Sequence, residues 1–222
     1  GTRNGPKEII KASHQVELFD EELNKEPYKE IGIKTLKPFA IKKKIGQALD
    51  QLSKINEEII ANNKFPLVFG GEHSITPGSI KPIVKKYDEI TLLHFDAHAD
   101  LRESYQGEKF SHASAIKRCL DYKNVKVISF GIRNLSQLEM NFYNNNRDRI
   151  EIFWGKDKKN WNLSQIEKLF ENKTVYITFD VDGFDSSIMP ATGTPEPGGL
   201  MWNDILSIIK KVSQISNIIG AD

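Results

Sequence analysis

Short apolar runs alternate along the chain with segments whose apolar residues recur at steps of three and four. The runs are ITLLHF (90–95), VKVISF (125–130), IEIFW (150–154), VYITFD (175–180) and NIIGA (217–221). Their apolar residues point to both faces, so each predicts a buried strand. A shorter strand, Leu67-Val68-Phe69, is opened by Pro66 and ended by Gly70-Gly71. Helical patterns fall at 77–87, 112–122, 135–144, 163–171 and 201–214. Upstream, Ile41, Ile45, Leu49, Leu52, Ile55 and Ile59 lie on one face of a long amphipathic helix predicted from about Leu36 to Asn62. Pro6 suits the first turn of another helix, ahead of Glu8-Ile9-Ile10. GTRNGP reads as a glycine-rich turn and Asn144-Asn145-Asn146 as an exposed loop tip. Apolar strands separated by helices predict the α/β class, with a parallel sheet covered on both sides. No linker or repeat interrupts the pattern, so residues 1–222 read as a single domain.

Composition narrows the function. With 39% hydrophobic and 27% charged residues, the 222-residue chain is of ordinary globular make-up, which excludes disorder and collagen-like structure. Lys plus Arg (31) nearly balance Asp plus Glu (30), so nothing favours nucleic acid or an anionic membrane as partner. No apolar run approaches the ~18–20 residues of a bilayer span. The single cysteine, Cys119, forms no internal disulfide, fits a reducing, cytoplasmic compartment and is expected on a buried helical face. The chain opens at Gly1 without a methionine and stops at Asp222 straight after a strand-like run, so truncation at both ends is expected.

In open α/β sheets, ligands bind at the carboxyl ends of the strands. Three such ends carry chemistry. GGEHSIT (70–76) places His73 after a Gly-Gly turn, where a lone histidine is more often structural. HFDAHAD (94–100) places Asp96, His98 and Asp100 at i, i+2 and i+4, on one side of an extended chain. Such a group repels itself and loses hydration unless a divalent cation joins it. ITFDVDGFD (177–185) ends a strand with Asp180 and Asp182; Gly183 supplies the turn, and Asp185 reads as a loop or capping residue. Six ligands bearing four negative charges suit two divalent ions about 3.5–4 Å apart. Oxygen and nitrogen donors without thiolate favour an ion such as manganese over structural zinc.

GGEHSIT, HFDAHADLR, FSHAS, SFGIRN and FDVDGFD…PATGTPEPGGL together make the chain resemble the ureohydrolase (arginase/agmatinase) family from Gly1 to Asp222. The resemblance implies a three-layer α/β/α sandwich with a mainly parallel sheet, two manganese ions (Mn2+), and hydrolysis of a guanidino group to urea and an amine. It implies that one ion takes His73, Asp96, Asp100 and Asp180, and the other Asp96, His98, Asp180 and Asp182. It assigns Asp100 to proton transfer and His112 to a proton shuttle or substrate contact. Agmatinase is the nearest branch, converting agmatine to putrescine and urea. The segment LRESYQGEKFSHASAIKR lacks the asparagine and serine set with which arginases grip an α-carboxylate, and Ser136 stands where they place an acidic group for the α-amine. Guanidinobutyrase, formiminoglutamase and arginase are the alternatives, with a metal-dependent deacetylase further off. The resemblance also implies a homo-oligomer, trimeric or hexameric, and a guanidinium-binding glutamate beyond Asp222. His94 is expected to pack behind the ligands, His14 to lie on the surface, and Arg133 and Glu72 to be structural.

Overall fold

The structure, a computed structural model, describes residues 2–222. Five strands form one sheet: β1 (Ile90–Phe95), β2 (Val125–Phe130), β3 (Ile150–Phe153), β4 (Thr174–Phe179) and β5 (Asn217–Ala221). The order is β3-β2-β1-β4-β5 and every pair is parallel. The chain runs outward from β1 through β2 to β3, then returns to the other side of β1 for β4. That reversal opens a crevice beyond the carboxyl ends of β1 and β4.

Period-two alternation divides the core. Ile90, Leu92, Val125 and Val127 face one apolar layer, while Leu93, Phe95, Ile128 and Phe130 face the other. The first layer is completed by Ile80 and Ile83 of α4 (Thr76–Lys86) and Ile116 and Cys119 of α5 (Ala115–Cys119), with α6 (Gln137–Asn144) supplying Tyr143. The second takes Ile166 and Phe170 of α7 (Leu163–Phe170) and Ile205, Ile208 and Val212 of α8 (Trp202–Ile215). The α/β/α sandwich follows, since each strand offers apolar side chains to both faces. The helix α3 (Ile45–Ala61) packs on α4 at Gly78, where an added Cβ would lie 2.9 Å from the Leu49 carbonyl oxygen.

Elements before α3 differ from the sequence pattern. GTRNGP is not a simple turn: Thr2–Asn4 form a 3-10 turn leading into α1 (Gly5–Ser13), and a short α2 spans Pro27–Ile31. The long helix starts at Ile45 rather than near Leu36, and Ile41 is exposed. Pro38 forbids a regular interior at that point, and Lys42-Lys43-Lys44 follow it. Leu67 makes only a bridge to Ala221 at the outer edge of β5, so the predicted strand shrinks to a single contact. His112–Ser114 form a 3-10 turn before the short α5, where one helix over 112–122 is predicted. No helix is long and apolar enough to cross a membrane among the described residues.

Candidate metal centre

The crevice at the carboxyl ends of β1 and β4 gathers the ionisable residues. Asp96 and Asp180 are the first residues after β1 and β4, and the Asp180 N–H donates to the Phe95 carbonyl (2.9 Å). The run 96–100 does not converge by plain alternation. Asp96 Oδ1 accepts the His98 N–H (2.6 Å), and Asp100 adopts a left-handed conformation with φ of 50°. Asparagine and aspartate tolerate that region best among residues with a side chain. On the facing strand, Asp180 Oδ1 accepts the Asp182 N–H (3.2 Å), which tightens the turn. Gly183 lies under it, where a Cβ would stand 2.9 Å from the Asp96 nitrogen.

His73 reaches the same point from the turn before α4. Its Nδ1 lies 2.9 Å from Asp96 Oδ2, 2.9 Å from Asp100 Oδ2 and 3.7 Å from Asp180 Oδ2. His98 Nδ1 lies 3.4 Å from Asp96 Oδ1 and 3.2 Å from Asp182 Oδ2. Asp96 thus stands between two clusters, with one carboxylate oxygen turned towards each imidazole. His73, Asp96, Asp100 and Asp182 are buried, while His98 and Asp180 are partly open to solvent. All six sequence-predicted ligand residues meet in this crevice.

The charges strain against one another. Burial and the Asp96 charge push the Asp100 carboxyl up to about 7 and the Asp180 carboxyl up to about 6. Hydrogen bonds to Asp182 and Asp96 push the His98 imidazole up to about 10. Burial pulls the His73 imidazole down, but Asp100 and Asp96 outweigh it and hold the ring well above its ordinary value. Asp96, despite burial, is held well below the carboxylate range by His73, His94 and His98. Protons on the imidazoles therefore do part of what a cation would do.

A metal fits this donor set. His73 Nδ1 is buried and lacks a hydrogen-bond partner, although two carboxylate oxygens stand 2.9 Å away. A buried imidazole nitrogen left unbonded before two carboxylate oxygens is arranged as a ligand to a cation. His94 is also within reach of Asp96, but both its ring nitrogens are engaged, Nδ1 with Ser129 Oγ (2.9 Å) and Nε2 with Asp96 Oδ2 (3.0 Å). It braces Asp96 from behind, and burial lowers its pKa.

His112 sits apart from the six. Its side chain is exposed, with Nδ1 3.8 Å from Glu72 Oε2 and its ring edge-on to Tyr105. The Ser136 hydroxyl caps α6: it donates to Glu139 Oε2 (2.7 Å) and accepts from the Glu139 N–H (3.4 Å). Ser136 lines a groove of about 450 Å3 with Met140, Arg147, Trp154 and Lys156, which none of the six ligand candidates enters. Glu196 approaches the outer edge of the cluster, 3.9 Å from His98 Nε2. Cys119 is buried and His14 exposed. Asp185 accepts from the Ser187, Gly198 and Gly199 N–H groups and pins the 185–199 loop.

Four residues support the site; Arg133 is structural as expected, while Glu139, Thr178 and Asp222 escape the sequence reading. Arg133 clamps six backbone carbonyls around the crevice. Glu139, buried, accepts the Leu101 N–H (3.1 Å) and so fixes the end of the 96–101 loop. Thr178 and Asp222 stand behind His73. Asp222 alone had a usable signal: it is an acidic residue at the end of an apolar run, as Asp96 and Asp180 are.

A profile of the Arginase family matches residues 1–222. The N(1)-aminopropylagmatine ureohydrolase of Synechocystis sp. is 33% identical over 233 residues, covering 100% of this chain and 74% of that protein. The agmatinase of Bacillus anthracis is 33% identical over 236 residues, covering 100% of this chain and 76% of its own length. The crystal structure of the agmatine ureohydrolase of Thermoplasma volcanium matches with a TM-score of 0.85 and 25% identity, over 100% of this chain and 74% of that one.

Proposed function

Since the chain belongs to the arginase family, we propose that it hydrolyses the guanidino group of a linear amine, converting agmatine to putrescine and urea with two manganese ions. The observation that carries this is the buried His73 Nδ1 facing two carboxylate oxygens at 2.9 Å without a hydrogen bond, inside a group of four carboxylates and two imidazoles. His73, Asp96, Asp100 and Asp180 would hold one ion, and Asp96, His98, Asp180 and Asp182 the other. That division rests on the family resemblance.

When bound, the two ions supply a water of lowered pKa and positive charge against the developing oxyanion. Water adds to the guanidinium carbon, and the bond from that carbon to the amine nitrogen breaks. Asp100 holds the proton given up by the water and delivers it to the departing nitrogen. His112, at the exposed mouth beside Glu72, exchanges protons with solvent.

Selectivity follows from what the mouth offers. The Ser136 hydroxyl is tied to Glu139 in a groove apart from the cluster, so it offers an α-ammonium group no partner at the mouth. Glu72 and Glu196 lie outside the cluster, where their charge disfavours a substrate carboxylate and favours a cationic tail. Burying arginine's carboxylate unpaired would also cost desolvation free energy. Steady-state kinetics with manganese should therefore give agmatine at least a ~100-fold advantage over arginine in kcat/KM, about 2.7 kcal/mol of transition-state binding. Equal or better turnover of arginine overturns the agmatine reading and leaves the guanidino chemistry standing. The Synechocystis relative favours one second reading, aminopropylagmatine, whose longer cationic tail suits the same acidic rim. Faster turnover of that compound would move the assignment to it. The proposal includes a cytoplasmic homo-oligomer, trimeric or hexameric, which sedimentation would resolve.

A further inference from the structure

Behind His73, on the side away from the crevice, lies a hydrogen-bonded chain with one possible direction. His73 Nε2 lies 2.9 Å from Thr178 Oγ1, and Thr178 Oγ1 lies 2.8 Å from Asp222 Oδ1. Asp222 Oδ1 also accepts from Thr76 Oγ1 (3.0 Å), and Oδ2 accepts from the Tyr176 hydroxyl (3.0 Å). The Asp222 backbone is fixed as well: its N–H donates to Ile177 (2.9 Å) and its carbonyl accepts from Phe179 (3.0 Å). Three hydroxyls, two from β4 and one from α4, thus hold one carboxylate in place.

A carboxylate has no proton to give. The Thr178 hydroxyl must therefore donate to Asp222, which leaves only its lone pairs for His73. The second proton of the imidazole, the one a metal displaces, is then the one on Nδ1; the neutral ring keeps its proton on Nε2 and offers the Nδ1 lone pair. Nδ1 is the atom that faces Asp96 and Asp100.

We propose that Asp222, acting through Thr178, is the positioning residue that fixes the His73 tautomer and aims Nδ1 at the metal. The inference rests on the proposed binuclear site. It gives the carboxylate that follows β5 a task outside the reaction itself. Outer partners of this kind orient a ligand and set its basicity, and their loss weakens metal binding about 10–100-fold. Thr178→Val keeps the shape of the side chain and removes the relay. Asp222→Asn keeps the shape but can donate as well as accept, so the direction of the chain is no longer fixed. Thr178→Ser keeps the hydroxyl.

The experiment titrates manganese into chelator-stripped wild type and variants, reading free Mn2+ by electron paramagnetic resonance. Melting of each stripped protein is measured alongside. Thr178→Val and Asp222→Asn should each weaken manganese binding about 10–100-fold, while Thr178→Ser binds as the wild type does. The Thr178→Val/Asp222→Asn pair should be no weaker than the worse single variant, because both cut one chain. A purely structural role would lower the melting temperature of the stripped protein and leave manganese affinity unchanged, which would overturn the proposal. Should the variants fail to fold, nitrogen-15 spectra of wild-type protein loaded with diamagnetic cadmium decide the matter. His73 must show a protonated Nε2 and a metal-coupled Nδ1, and the reverse assignment refutes the relay. Wild-type protein that binds no manganese would sink the proposed centre and the relay together; wild-type binding with unaffected variants sinks the relay alone.

Discussion

Replacing Arg133 by lysine should damage the protein although the charge is kept. The guanidinium reaches Pro197 through Nε (3.0 Å), Gly131 through Nη1 (3.0 Å), and Asp182, Phe184 and Glu196 through Nη2 (2.8, 3.0 and 2.8 Å). Nη1 also reaches Gly183 (3.5 Å), and all six acceptors are backbone carbonyls. They belong to three segments, the end of β2, the turn after β4 and the 185–199 loop; the last two also meet at the Phe184–Leu200 bridge. A lysine ammonium has three protons on one atom and cannot span a planar fork of that width. At least two carbonyls lose their partner. A hydrogen bond to a charged donor contributes about 1.5–3 kcal/mol; because the site is only partly buried, water re-solvates some of the loss. We expect about 2–3 kcal/mol of destabilisation on that scale. For a chain of this size that is roughly a 5–10 °C drop in melting temperature. Urea denaturation of the chelator-stripped protein reads the loss directly. Manganese binding should weaken as well, because the Asp182 backbone is among the groups released. A lysine variant within about 0.5 kcal/mol of wild type, the scatter of ordinary surface substitutions, would refute the clamp.

The stripped protein should become more stable as pH falls. Asp100 at about 7 and Asp180 at about 6 lie above their unfolded values, so the folded chain holds protons that the unfolded chain lacks, and this stability is lost as pH rises through 6 and 7. His98, pushed up to about 10, acts in the same direction, with stability lost as pH rises from its unfolded value through 10. Melting curves between pH 5 and 9 with a chelator should show the rise towards acid, and a flat or opposite trend would refute the assignment. Manganese should raise the melting temperature at neutral pH by mass action and lose its effect in acid as protons displace it; no upward shift at neutral pH would count against the centre. Gly183→Ala should cost about 1–3 kcal/mol by overpacking and weaken manganese binding, since its Cβ would press on the Asp96 nitrogen from 2.9 Å. Unchanged stability there would mean that the two strand ends can part freely.

The strands were legible because a parallel sheet buried on both faces leaves little to interpretation: ITLLHF and VKVISF run over the same residues as β1 and β2. The six ligand candidates were legible for a related reason. An acidic residue immediately after such a run has nowhere to go but the edge of the sheet. What failed was local. Ile41 kept step with the α3 stripe, but Pro38 and three lysines keep the chain out of helix until Ile45. Leu67-Val68-Phe69 reads as a strand, yet at the sheet edge it pairs only through Ala221 and leaves Leu67 and Phe69 exposed. Alternation brought Asp96, His98 and Asp100 together on paper, whereas the chain does it with a side-chain bond to the His98 N–H and a left-handed Asp100. The contacts of the supporting residues were hidden because their partners are remote in sequence. Thr178 meets His73 across 105 positions, and Arg133 meets Glu196 across 63.

The electrostatics of the crevice explain why so much of the fold is spent behind it. Four carboxylates would repel one another outright if all were ionised and unaccompanied. In the metal-free protein two of them, Asp100 and Asp180, are pushed towards neutrality, and two imidazoles carry the compensating protons. Loading must expel those protons, from Nδ1 of both histidines and from any carboxyl still protonated. The rings must then return to their metal-binding tautomer without turning over. His94 and Ser129 hold Asp96 from β1 and β2, and Thr178 and Asp222 hold His73 from β4 and β5. The three central strands and the residue that follows the edge strand β5 thus each contribute a fixed hydrogen-bonding group behind the ligands. The arrangement lets a site exchange protons for cations while its donor atoms stay where the sheet put them.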